Sequence, residues 1–177
     1  MLSLLIVPLL LTGGFELGGR VGVLFPASGL ETNHGDAALF GVDFGYRTGP
    51  NVFTLEYRYS GLHAKEASPY RLDINEPAIG YGRDFSLGRA GATSDWGLEG
   101  SVAAGFGLLS RTLGSARETG AAPSGHLDVG VFQRQGHSRL SLTLDNIVFS
   151  ESQSAGSSRT VSLTYLIALK GGVAYVF

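Results

Sequence analysis

The strongest constraint on this chain is a period of two. From residue 15 onward, apolar side chains recur at every second position, so they share one face of an extended strand. Phe15, Leu17, Val21, Val23 and Phe25 hold one phase, with Glu16 and Arg20 on the other. Ala38, Phe40, Val42, Phe44 and Tyr46 repeat the pattern against Asp43 and Arg47. Phe53, Leu55, Tyr57 and Tyr59 alternate with Thr54, Glu56, Arg58 and Ser60. A fourth segment, 71–85, is less regular. Leu72 and Ile74 hold one phase, Ile79 and Tyr81 the other, and a bulge at Pro77 is expected to absorb the slip.

Four further segments complete the pattern. Trp96, Leu98, Val102, Ala104, Phe106 and Leu108 oppose Glu99, Ser101 and Gly105. Leu127, Val129 and Val131 oppose His126, Asp128 and Gly130, and Leu140, Leu142 and Leu144 oppose Ser141, Thr143 and Asp145. The last run, Val161 to Phe177, sets Leu163, Tyr165, Ile167, Leu169, Val173 and Tyr175 against Thr160, Ser162, Thr164 and Lys170. Segments of about ten residues suit a tilted strand that crosses a bilayer. No segment carries a helical stripe.

The links between segments alternate in length. Gly49-Pro50-Asn51 and Gly136-His137-Ser138 are tight turns. The longer polar links Pro26–Asp36, Gly61–Tyr70, Ser110–Ser124 and Ser150–Ser158 lie at the opposite end. Short turns on one side and long loops on the other are the habit of membrane barrels. The link 86–95 is too long for its place and reads as strand continuing past the membrane.

Alternation does not say which face points out, since a soluble barrel has the same period with its apolar side inward. Composition helps here. Charged residues are 16 % of the chain, against about 25 % in soluble domains. The only lysines are Lys65 and Lys170. The sparse charges of the polar face are balanced: Glu16, Asp43, Glu56, Glu99 and Asp128 against Arg20, Arg47, Arg58 and Lys170. They suit a paired network across a narrow lumen, whereas a water-facing wall carries more charge. Aromatic residues fall near the segment ends of the apolar face, where interfacial girdles belong.

Much is excluded. The net charge is −2 and basic runs are missing, so nothing points to nucleic acid. Without cysteine there are no disulfides, thiolate metal sites, cysteine nucleophile or lipoprotein anchor. The run Met1–Leu11 is too short for a spanning helix. It fits the hydrophobic region of a secretory signal, although no Lys or Arg precedes it and no clear cleavage motif follows. The expected division is therefore a leader over 1–14 and a barrel over 15–177. Gly18-Gly19-Arg20-Val21-Gly22 fits a strand and not a phosphate loop. His34 with Asp36, and His63 with Glu66, lack metal-ligand spacing, so neither metal nor cofactor is expected. His126 beside Asp128 reads as a hydrogen-bonded interior histidine.

The ending Val173-Ala174-Tyr175-Val176-Phe177 resembles the C-terminal signature of bacterial outer-membrane barrels, which end in an aromatic residue with hydrophobic residues at alternate positions before it. Leu55-Glu56-Tyr57-Arg58-Tyr59-Ser60 is similar to a strand of the small OmpA-like and OmpX-like barrels. The resemblance implies an all-β, eight-stranded antiparallel up-and-down transmembrane β-barrel in a bacterial outer membrane, barrel-only, with a porin-like strand pattern but no open pore. Its implied surroundings are outer-membrane lipid and lipopolysaccharide. Val173, Tyr175 and Phe177 would form the strand that the barrel-insertion machinery reads.

The leading functional expectation is a structural or surface-interaction role for the external loops. Two alternatives stand beside it. Some small barrels are lipid-A deacylases or acyltransferases, which need a Ser nucleophile, a His base and an acidic orienter. The candidate grouping here is Ser60, His63 and Glu66, with Ser68 nearby. The other alternative is a soluble, lipocalin-like ligand-binding barrel.

Overall fold

The computed structural model describes residues 13–27, 34–65, 70–89, 94–155 and 158–177. Eight strands follow one another: β1 (Gly14–Pro26), β2 (Ala37–Thr48), β3 (Asn51–His63), β4 (Tyr70–Arg89), β5 (Ser94–Leu113), β6 (Ala116–Gln135), β7 (Ser138–Ala155) and β8 (Ser158–Val176). Each pairs antiparallel with its sequence neighbours, and β1 pairs with β8, closing an up-and-down barrel. The expected leader lies outside the described residues up to Thr12, and Gly14 is already the first residue of β1.

The ladder gives the barrel's stagger. Cross-strand partners lead from Glu16 through Gly45, Thr54, Gly80, Ala103, His126, Ile147 and Leu166 back to Pro26, ten residues further along β1. A shift of ten over eight strands tilts them by about 40° from the barrel axis.

The apolar phase faces outward. Val21 is 60 % exposed, Leu55 60 % and Ile79 64 %, while Glu16, Asp43 and Asp128 in the opposite phase are buried. This is the reverse of the wall a soluble barrel needs. Along β1 the outward face runs from Phe15 to Phe25. At ~3.3 Å per residue and this tilt, the belt is about 25 Å tall, the height of a barrel's lipid-facing band. Phe15, Tyr46, Trp96 and Tyr175 stand at the end of the belt that carries the short turns.

Three sequence expectations need correction. No bulge occurs at Pro77: the β3–β4 register is unbroken from Arg83 to Arg71, and the irregularity lies between Ser86 and Gly88. Leu72, Ile74, Glu76 and Ala78 all point inward, so the apolar residues changed side while the phase stayed constant. Ser110–Ser124 is not a loop. β5 and β6 continue through it to a two-residue turn at Gly114 and Ser115, where Gly114 takes the positive φ such a turn requires. Likewise most of Ser150–Ser158 is strand, in β7 and β8. The link 86–95 is largely strand, as its length suggests, with β4 reaching Arg89 and β5 starting at Ser94.

The wall is not complete to its full height. β6 pairs with β7 only from Ser124↔Phe149 to Gln135↔Ser138. Beyond Phe149, β7 pairs only with β8, and beyond Ser124, β6 pairs only with β5 among the described residues. Every residue from Leu113 to Ala121 is exposed on both faces, so the β5–β6 hairpin stands clear of the barrel.

Candidate functional site

The lumen is filled by three layers. Nearest the short turns, Asp84 gathers three arginines. It accepts from Arg47 Nη1 at 2.6 Å, Arg134 Nη2 at 3.0 Å and Arg139 Nη2 at 3.1 Å. Arg47 also donates to Glu16 through Nε and Nη2, at 3.2 and 3.0 Å. Arg139 pairs with Glu99, which accepts a further bond from Thr143 at 2.7 Å. The buried ring of Phe132 packs under Arg139 and Arg134, 5.0 and 5.7 Å from their guanidinium carbons.

The middle layer is a second ion network. Lys170 is 1 % exposed and donates to Asp128 and Asp145, each at 2.8 Å. Arg58 pairs with Glu56 and lies 3.4 Å from Asp145. Arg20 donates to Asp43 at 2.9 Å. His126 faces Arg58 through Nδ1 and Glu76 through Nε2, the latter at 2.6 Å. Nδ1 also lies 3.3 Å from Asp145, so the ring joins Arg58 to two carboxylates, Glu76 and Asp145.

The outermost layer is apolar. Leu24, Leu39, Leu62, Leu72, Ile74, Leu109, Ile147, Phe149 and Leu166 form a buried cluster above the charges, and Leu62 is wholly inaccessible. A space of about 30 Å³ between Arg20, Glu99 and Arg139 is the size of about one water, and about 10 Å³ remains where Arg58 and Glu76 meet the apolar layer. The lumen is a packed interior with a hydrophobic cap at its loop end.

All nine charged residues assigned to the lumen from sequence lie in these two polar layers: Glu16, Arg20, Asp43, Arg47, Glu56, Arg58, Glu99, Asp128 and Lys170. Sequence reasoning left out Glu76, Asp84, Arg134 and Arg139, and set Asp145 on the polar face without counting it in the network. An unbroken phase through β4 would have placed Glu76 and Asp84 with the rest. Arg134 and Arg139 flank a tight turn, where alternation is too short to read.

The candidate catalytic residues are not brought together. Ser60 is buried inside the wall and donates to the Ala38 carbonyl at 3.0 Å. His63 is exposed, three residues on and in the opposite phase of β3. Glu66 and Ser68 lie outside the described residues. His34 is buried, bridges to Ala64 and meets Tyr70 edge-on at 5.2 Å, while Asp36 is exposed.

At the closing strand, Val173, Tyr175 and Phe177 all point outward and are about half exposed or more. The β6–β7 turn is fastened to them. His137 Nδ1 lies 2.7 Å from the Val176 carbonyl, Val176 N donates to the His137 carbonyl at 2.7 Å, and the His137 ring stacks on Tyr175 with centroids 5.5 Å apart.

No family model and no curated protein sequence matches the chain. Solved structures do. Neisserial surface protein A (NspA) superposes with a TM-score of 0.72 at 14 % identity, over 92 % of this chain and 97 % of that one. The N-terminal β-barrel domain of Pseudomonas aeruginosa OprF gives 0.56 at 14 % identity, over 93 % and 99 %. Ail, the attachment invasion locus protein of Yersinia pestis, gives 0.50 at 12 % identity, over 93 % and 97 %. These identities speak for fold alone: the chain has the eight-stranded closed architecture of the small outer-membrane β-barrels.

Proposed function

We propose that this chain is an integral barrel of a bacterial outer membrane that anchors a surface-contact element and conducts nothing. The observation that carries the reading is the contrast along one wall. An apolar belt about 25 Å tall gives way at one end to a β5–β6 hairpin exposed on both faces from Leu113 to Ala121. A belt of that height matches a bilayer, and strands that leave it meet water. The short turns would then face the periplasm and the hairpin the outside. The packed lumen supports a role other than permeation. The open edge of β6, from Ala116 to Pro123, offers unpaired backbone groups to an extended segment of a partner. Val173, Tyr175 and Phe177, outward on the closing strand, are suited to recognition by the insertion machinery.

The chain has no cysteine, so single cysteines report topology cleanly. Thr119→Cys should react with a membrane-impermeant maleimide on intact cells, and Asn51→Cys only after the outer membrane is opened. The opposite pattern would invert the orientation. Labelling of both sites in a soluble fraction that needs no detergent would remove the membrane reading. Steady single-channel steps from the purified barrel in a planar bilayer would contradict the closed lumen.

A further inference from the structure

The outer wall of β2–β5 carries a trough of about 700 Å³ within the belt. Its origin is in the register. Two outward rows, Phe53↔Tyr81↔Val102 and Leu55↔Ile79↔Ala104, run across β3, β4 and β5. The row between them, Thr54↔Gly80↔Ala103, belongs to the inward phase and so presents backbone to the outside. The outward rows are two residues apart, about 6.6 Å. Phe44 and Tyr46 of β2 wall one end, the Phe53 and Tyr81 rings pack at 5.3 Å along one side, and small Ala104 leaves the far end low.

The side of this apolar trough nearer the short turns is polar. Tyr81 donates to Asn51 at 2.8 Å, and Arg83, two residues on, lies in the same outward phase. Arg83 is exposed, pairs in register with Asn51 and rests over the Phe85 ring with its guanidinium carbon 5.6 Å from the centroid. An apolar slot beside a cation at interfacial depth matches a molecule with a methylene chain and an anionic head. Arginine binds a phosphate through a fork of N–H donors, which a choline headgroup's net neutrality rewards less.

We infer that this trough is a site for an anionic diacyl phospholipid of the periplasmic leaflet. One acyl chain lies between the two outward rows, and the headgroup phosphate sits on Arg83. The inference rests on the membrane reading above for its orientation.

Native mass spectrometry tests it on the full chain, released from nanodiscs containing equal phosphatidylglycerol and phosphatidylcholine. One phosphatidylglycerol should stay bound in preference to phosphatidylcholine. Arg83→Gln should cut that preference about fivefold, the size expected of one interfacial cation. Arg83→Lys should keep part of it. Ala104→Phe, which fills the low end, should reduce retention of both lipids. Equal retention of the two lipids by the unaltered chain, or an unchanged preference in Arg83→Gln, would overturn the site. Heat-dependent mobility on cold-SDS gels is read in parallel for every variant. A shifting barrel without lipid preference removes the site alone, whereas an unaltered chain that never shifts and needs no detergent removes the membrane reading beneath it.

Discussion

Lys170 holds two aspartates in a place no water reaches. Its ammonium is 2.8 Å from both Asp128 and Asp145, and all three side chains are almost fully buried. Taking three charges out of water is costly, and the cost is met only while they stay paired. Lys170→Met keeps the volume but takes the ammonium from two carboxylates, leaving Arg58 near both, His126 beside Asp145 and Ser101 on Asp128. The expected loss is about 3–5 kcal/mol, read as a lower urea midpoint for the barrel in detergent. Adding Asp145→Asn should recover part of that loss, because the two sites share one network. A loss under about 1 kcal/mol would mean the lumen is wet enough to solvate the orphans. Directly beside this lysine, Gly22 sits at the closing seam. A Cβ there would meet the Leu169 carbonyl oxygen at 2.3 Å and the Lys170 Cα at 3.0 Å, both backbone. Gly22→Ala should therefore push β1 from β8 and lower the temperature at which the barrel opens on an SDS gel. An unchanged opening temperature would show that the seam can spread without cost.

At the level of strands, the layered lumen explains what alternation revealed and what it hid. Period two sorts residues into two faces but says nothing about a face whose chemistry changes along its length. In β3, Glu56 and Arg58 share the inward phase with Ser60 and Leu62, and in β4 Leu72 and Ile74 share it with Glu76. The lumen switches from charged to apolar as it rises, so alternation alone gives an inward leucine in β4 the look of an outward one. That look is what demands a bulge at Pro77, which the unbroken β3–β4 register does not contain. The hairpin tip was hidden for a different reason. Where both faces meet water, no alternation is needed, and Arg117-Glu118-Thr119-Gly120 reads as a loop although it is strand. The charged layers are legible because an apolar outward face and a buried polar inward face force strict alternation there. Two measurements follow. Phe149→Ala removes a fully buried ring that packs over Gly107 and should cost about 3–5 kcal/mol, seen again in the urea midpoint. A cost below about 1 kcal/mol would mean the cap is loose. In hydrogen exchange, alternate amides between Ala116 and Ala122, those turned away from β5, should exchange like free peptide. Amides from Leu127 to Phe132, paired on both sides, should be protected. Uniform protection of the tip would mean the β6 edge is covered.

For the molecule as a whole, the decisive question is what its outer wall touches, and the chain carries one probe for it. Trp96 is the single tryptophan. It lies in the outward phase of β5, 46 % exposed, opposite Gln133 and close to the turn end. Phe15, Tyr46 and Tyr175 stand at the same end on other strands. Amphipathic rings collect at the boundary between headgroups and hydrocarbon because one edge is apolar and the other hydrogen-bonds. If the belt spans the bilayer, Trp96 sits at that boundary and not at the midplane. In vesicles of brominated lipids, its fluorescence should be quenched more by bromine near the glycerol than by bromine near the chain ends. Moving the only tryptophan to the middle of the belt, as Trp96→Phe with Val42→Trp, should reverse the order, since Val42 is an outward residue well inside the apolar band. A rigid barrel of the described register allows no other order for the two positions. Quenching at neither position, with free access of aqueous iodide to both, would place the apolar wall in water and sink the bilayer assignment. Equal quenching at both depths would mean that the belt lies along the membrane plane and does not cross it.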